Sequence, residues 1–499
     1  MHQVSNVRTL KRLSGSVSVL YRLKRFRCRF EVDIGISATR IKVMTGKEIL
    51  LEALRGRKPE RIPWVPFAGV HAGSLIGATP ESFLRDASLI EKGVVEVCER
   101  YKPDGVPVVF DLQIEAEMLG CELEWASETP PAVKSHPLAG QMPVDPGVLP
   151  DFNEKAGRLP VTLEATRRLK DRIGHDVALY GLITGPLTLA LHLRSAELFM
   201  DLICDEDSAD RLMDYCAGIA CRMAQAYIDA GVDVVAVVDP MISQISADHF
   251  SRFVSSPLNR VFDLVSSQGR LSSLFVCGDA TRNLEVMCET GCDNVSVDEN
   301  IDLAVLRSVA RKAGKSFGGN LKLTTTLLLG SPLECQKDTI ECLDKGGEDG
   351  FVLAPGCDLP YAVPPANIEA VARLVHDPYE RDVVRTLEAH SDDGVLPDVV
   401  LPDYDSLDRI RIDVVTLNSA ACAPCQYMVL AARDAAETLG DPIEVVEHKI
   451  TTLEGLAVMR KLGVQAIPSL CIQGRLAYAS IIPDSKTLAK AILKASGKS

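Results

Sequence analysis

The sequence predicts a large (β/α)8 barrel followed by a small α/β domain, and three observations lead there. Short apolar strand-like runs alternate with longer helical patterns from Met44 to about His376. Polar or unusual residues follow the end of each run, in order. From Arg409 a different pattern opens: a strand, a Cys-Ala-Pro-Cys loop and a helix.

The strand candidates of the large part are Ile62–Phe67, Gly105–Phe110, Ala178–Leu182, Val232–Val238, Leu274–Val276, Asn294–Val297, Ser316–Gly319 and Gly350–Leu353. Amphipathic stretches such as Ala196–Gln225 and Asp248–Ser267 lie between them. Such repetition predicts a parallel sheet covered by helices, and eight runs fit a closed barrel better than an open sheet. A barrel of this kind carries its chemistry just after the strands. Those positions hold His71, Asp111, Thr184-Gly185-Pro186, Asp239-Pro240, Cys277-Gly278-Asp279, Asp298-Glu299-Asn300, Asn320-Leu321 and Pro355-Gly356-Cys357.

Bulk composition narrows the class. A length of 499 residues suggests two or three domains, and 46% hydrophobic with 24% charged residues is an ordinary globular balance. A formal charge of -14 argues against a nucleic-acid partner, since phosphate contacts need surplus Lys and Arg. The 15 cysteines are odd in number and scattered, unlike a secreted disulfide framework, so a reducing cytoplasm is expected. No apolar run reaches the 18 residues of a membrane span.

Residues 1–43 stand apart, with ten Lys and Arg against Glu31 and Asp33. They read as a basic extension, either a disordered arm or sequence upstream of a true start at Met44, after which Thr45 caps a helix. The barrel is expected over 44–378. Residues 379–408, with Asp392-Asp393-Gly394, Pro397 and Pro402, read as an exposed linker.

The last part, 409–499, orders as strand Ile410–Leu417, Cys422-Ala423-Pro424-Cys425, helix Gln426–Thr438, strand Ile443–His448 and helix Leu453–Leu462. Two strands around Gly474 and a helix Ser485–Lys494 complete it. Cys422 sits where a helix N-terminus lowers a thiol pKa, making it the nucleophile and Cys425 the resolving thiol. The CxxC also fits half of a zinc site, but no second CxxC or His pair follows nearby. This order resembles the thioredoxin fold. The resemblance implies redox-active thiols and a cis bond before Pro468 beside them.

In the large part, the segments Phe110–Glu117, Gly185-Pro186-Leu187-Thr188, Asp239-Pro240, Cys277-Gly278-Asp279, Gly319-Asn320-Leu321 and Leu353–Cys357 resemble the uroporphyrinogen decarboxylase superfamily of TIM barrels. They are most similar to its branch of cobalamin-dependent methyltransferases that act on thiols. The resemblance implies a zinc held by a His-x-Cys pair and a distant Cys. Cys277 and Cys357 match the cysteines, whereas Phe275 stands at the histidine position. His71, Asp239 and Glu299 are candidates by position for a third ligand. The corrinoid would ride on a separate protein partner, with a small thiol or methylated compound as the other substrate.

Asp111 matches the catalytic aspartate of the decarboxylase proper, but no arginine occurs in Val65–Ile76, where that enzyme grips carboxylates. Asp111, Glu115, Asp239 and Glu299 are the candidate catalytic acids. Each also fits a plainer role as helix cap or turn former. Three functions are therefore weighed: methyl transfer with a fused dithiol domain, decarboxylation, and a redox-controlled binding protein with a non-catalytic barrel.

Overall fold

The computed structural model describes residues 44–389, 397–416, 419, 423–440, 442–450, 452–464, 467–479, 482–483 and 485–495. The expected basic extension 1–43 and Cys422 lie outside these residues.

Seven parallel strands form one sheet in sequential order: β1 Gly105–Pro107, β2 Ala178–Thr184, β3 Val234–Val238, β4 Leu271–Val276, β5 Asn294–Val297, β6 Ser316–Leu321 and β7 Phe351–Pro355. The expected strand Ile62–Phe67 is reduced to one parallel bridge, Trp64 to Leu353. Pro63 and Pro66 have no N–H to donate, so a regular ladder cannot run through them. Trp64 still joins the two ends of the sheet. Val65 N donates to Leu353 O at 3.0 Å, Leu353 N to Pro63 O at 3.0 Å, and Asp104 N to Trp64 O at 2.9 Å. Strand β1 is shorter than the expected Gly105–Phe110, although Val108 N still donates to Tyr180 O at 3.1 Å.

Alternation along the strands sorts side chains into two cores. Tyr180, Leu182, Ala236, Val238, Phe275 and Val352 pack together with Phe67 and Phe110. Their neighbours Leu179, Ile183, Val235, Val237, Leu274 and Val276 pack in a second cluster with helical residues such as Leu212, Met223 and Leu258. With both faces covered, β2 and β3 are buried at every residue, which explains their continuous apolar runs. The single expected helix Ala196–Gln225 is two, Leu198–Cys204 and Glu206–Ala230. Asp205 separates them by capping the second, its carboxylate accepting from Ser208 N at 3.2 Å.

The expected linker is partly a helix, Pro378–Ala389. Val384 packs with Ile340 and Leu374 of the large part, whereas Val383 and Tyr379 join a cluster with Val415, Cys425, Ile450, Leu456 and Ile467. Its apolar residues recur at helical spacing, and that pattern is what the acidic composition hid. Beyond it, β8 Ile410–Thr416, β9 Ile443–Lys449, β10 Ser469–Ile472 and β11 Arg475–Ala479 form a sheet ordered β9-β8-β10-β11. Strands β8 and β9 are parallel, and β10 and β11 run antiparallel to their neighbours. Helices Ala423–Leu439, Leu453–Lys461 and Ser485–Ala495 accompany this sheet. The Ile467–Pro468 peptide is cis. Among the described residues, no helix is long and apolar enough to cross a membrane.

Candidate active site

Cys277 follows β4 directly and Cys357 lies two residues past β7. Their strands are separated in the sheet by β5 and β6, yet their sulfurs stand 2.8 Å apart. Beneath them lies an aromatic floor. Phe275 packs on Phe67 with ring centroids 4.9 Å apart, and Phe110 meets Phe275 edge-on at 5.8 Å. Phe275 thus completes an apolar cluster that Cys277 and Cys357 border. The thiol contact splits the pair: hydrogen bonding to Cys357 holds the Cys277 proton on, and the same bond lowers the pKa of Cys357.

Two carboxylates flank the thiols. Asp298 accepts from Gly278 N and, at 2.9 Å, from Asn300 N. Glu299 Oε1 accepts from Leu323 N at 3.1 Å, but its Oε2 is buried without a hydrogen-bond partner. That oxygen lies against Gly356, where any Cβ would collide with it. Burial raises the Glu299 pKa. Among the described residues no three His, Cys, Asp or Glu side chains stand grouped to hold a metal ion.

The other predicted acids are engaged elsewhere. Asp239 is fully buried and accepts from Leu187 N and Thr188 N, each at 3.0 Å, and from Thr188 Oγ1 at 2.6 Å. It therefore pins the first turn of helix Pro186–Arg194, and Gly185 is required because a Cβ there would strike the carboxylate. Burial raises its pKa to about 6. Asp111 accepts from Gln113 N at 2.9 Å and forms a buried ion pair with Arg158. His71 does not join the thiols as a ligand in this arrangement. Its Nε2 is 2.8 Å from Tyr101 Oη and its Nδ1 3.3 Å from Tyr361 O, and burial lowers its pKa to about 4.

Glu115 is fully buried, with Oε1 accepting from Thr184 N at 2.9 Å. Thr184 Oγ1 lies 2.7 Å from Oε2 and 2.8 Å from Leu112 O. One hydroxyl proton serves only one of these acceptors, and a proton on Oε2 completes the second bond. Burial accordingly raises the Glu115 pKa to about 7. Its stabilising contribution is complete below the unfolded value of about 4.3 and is lost as pH rises through about 7. Glu115→Gln should therefore lose less stability than wild type between pH 5 and 7.5. The expected difference is on the order of 2 kcal/mol, read from urea midpoints at both pH values. Parallel pH profiles would remove Glu115 from the account.

Sequence reasoning missed Arg158, Trp125 and Asp358. The Arg158 side chain is 3% exposed, donates from Nε to Glu117 Oε2 at 2.8 Å and lies 5.0 Å over the Trp125 ring. Asp358 accepts from Gly69 N at 2.6 Å, tying the start of helix Val70–Leu75 to the residue after Cys357. No local pattern marks these partners, because each contact joins distant segments.

A parallel α/β sheet bearing a thiol pair and buried acids beyond its strand ends has the layout of a barrel-type enzyme. The uroporphyrinogen decarboxylase (URO-D) family matches residues 45–378, and the chain belongs to that family. Methylcobamide:CoM methyltransferase MtaA of Methanosarcina barkeri is 30% identical over 335 residues, covering 66% of this chain and 96% of that protein. Methylcobamide:CoM methyltransferase MtbA of Methanosarcina acetivorans is 28% identical, covering 65% and 96%. A uroporphyrinogen decarboxylase of Prochlorococcus marinus is 24% identical over 55% of this chain and 77% of its own length. Among solved structures, a methyltransferase from Methanosarcina mazei superposes with a TM-score of 0.62 at 27% identity, covering 69% of this chain and all of that one.

Proposed function

We propose that this chain transfers a methyl group between a corrinoid, carried by a separate protein, and a thiol acceptor. The observation that carries the reading is the Cys277–Cys357 pair, two sulfurs 2.8 Å apart beyond the strand ends of a URO-D-family sheet. The similarity to methylcobamide:CoM methyltransferases supplies the reaction class. In this reading the large part is a complete (β/α)8 TIM barrel, with Trp64 standing for the strand that closes it.

Two donors suited to zinc stand together here, Cys277 and Cys357. Because no three such side chains stand grouped among the described residues, Glu299 would have to turn in as the third through the oxygen that lacks a partner. The metal would keep an acceptor thiol in its thiolate form at neutral pH. The chain's own residues shape the rest. Phe275, Phe67 and Phe110 keep water from beneath the thiols, and Asp298 fixes Gly278 and so the position of Cys277. Asp111 with Arg158, Asp239 and Glu115 act as positioning residues that hold the surrounding loops. Decarboxylation has less support, since Asp111 is already ion-paired and Val65–Ile76 offers no arginine.

The C-terminal unit we read as a thioredoxin-like dithiol domain fused to the barrel, with Cys422 and Cys425 as the redox pair. Supporting this are the sheet order β9-β8-β10-β11, the place of Cys425 in the first turn of helix Ala423–Leu439, and the packing of Ile467, next to Pro468, in the cluster of Cys425.

The test is transfer from methylcobalamin, free and protein-bound, to 2-mercaptoethanesulfonate, followed by cobalamin absorbance and by mass detection of the methyl thioether. The expected result is thioether formation by the wild-type chain, reduced at least about tenfold in Glu299→Gln. Absence of product with both donors would overturn the reading.

A further inference from the structure

The rim thiols carry a second chemistry that needs no metal. Cys277 Sγ and Cys357 Sγ are 2.8 Å apart, and a disulfide bond measures about 2.05 Å, so closure requires a sulfur movement of under about 1 Å. The loops already hold the sulfurs close: Asp298 accepts from Gly278 N beside Cys277, and Gly356 N beside Cys357 donates to Leu321 O at 3.0 Å. Cys277 and Cys357 are both partly exposed as residues. Cys216, Cys288, Cys292, Cys335 and Cys342 are all buried and serve as internal controls.

We propose that Cys277 and Cys357 form a reversible disulfide that shuts the site under oxidation by a peroxide. One thiolate of the pair attacks a peroxide oxygen. The O–O bond breaks, leaving a sulfenic acid and releasing water once a proton is taken up. The second sulfur then attacks the first; the S–S bond forms, the S–O bond breaks, and a second water leaves with the remaining thiol proton. Two thiols and one hydrogen peroxide thus give one disulfide and two waters. A dithiol returns two electrons and two protons through a mixed disulfide. The bond occupies the sulfurs a metal would use, so the closed state and a metal-bound state exclude each other. Disulfide closure does not depend on methyl transfer, and either can hold without the other.

The full-length chain is treated with hydrogen peroxide, alkylated, digested without reduction and mapped by mass spectrometry. The expected product joins the Cys277 and Cys357 peptides, weighs two hydrogens less than their sum and disappears with dithiothreitol. In Cys277→Ser that linked peptide falls to background, while circular dichroism confirms that the variant is folded. Two outcomes in oxidised wild type would overturn the proposal: both cysteines recovered as alkylated thiols, or each recovered as its own sulfinic acid.

Discussion

Arg158→Ala should unfold with about 3–5 kcal/mol less stability than wild type. Arg158 reaches Asp111 with Nη1 and Glu117 with Nε, and its side chain is 3% exposed. Asp111 is itself 1% exposed, so truncating the arginine leaves a carboxylate out of water with no counter-charge. Glu117, at 20% side-chain exposure, can recover solvation and adds less to the loss. Lysine would keep the charge but not the planar fork that serves both acids, so Arg158→Lys should fall between wild type and alanine. Removing both charges in Asp111→Asn with Arg158→Met should restore much of the stability, because the penalty lies in the orphaned charge. Urea unfolding at pH 7 measures all four chains. A loss below about 1 kcal/mol for Arg158→Ala would mean water reaches Asp111 and the ion pair is not structural.

Zinc content separates the thiol-activation mechanism from its alternatives. Reduced wild-type chain, dialysed against zinc and then buffer, should retain about one zinc, and Cys277→Ser less than about a tenth of that. The loss should be steep because the donor set is small. Phe275 contributes no nitrogen, and His71 is held by Tyr101 and Tyr361. Two thiolates and one carboxylate leave no redundant donor to take over. The same measurement on Cys425→Ser assigns any residual zinc, since that variant keeps its metal if the rim is the site. Zinc that persists in Cys277→Ser but vanishes in Cys425→Ser would place the metal in the C-terminal unit and remove the proposed thiol activation from the rim.

The parts of this fold that obey short-range periodicity are legible in the amino-acid sequence. The expected strand Val232–Val238 is found as Val234–Val238, buried because both its faces are covered, and the element order beyond Arg409 follows from spacing alone. The order of residues beyond the strand ends is legible too, and Cys277 and Cys357 meet although 80 positions separate them. Three things are not. The apolar run at Ile62–Phe67 masks Pro63 and Pro66, whose missing donors shrink the first strand to Trp64. Arg158, 47 positions from Asp111, has no local mark, since the pair joins distant segments. Nor does residue type tell a structural acid from a reactive one. Asp239 and Glu115 resemble Glu299 in sequence, and only their hydrogen bonds reveal that Glu299 alone of the three keeps an oxygen free.

Helix Pro378–Ala389 makes the join between the two parts a strut rather than a tether. One flank, through Val384, is seated on the large part, and the other, through Tyr379 and Val383, is seated on the small one, with Tyr379 Oη 3.1 Å from Cys425 Sγ. A chain joined this way cannot swing its small part freely, because any rotation must shear one of those two seats. Any displacement of Cys425 away from Tyr379 would therefore have to break the packing of this helix on one side.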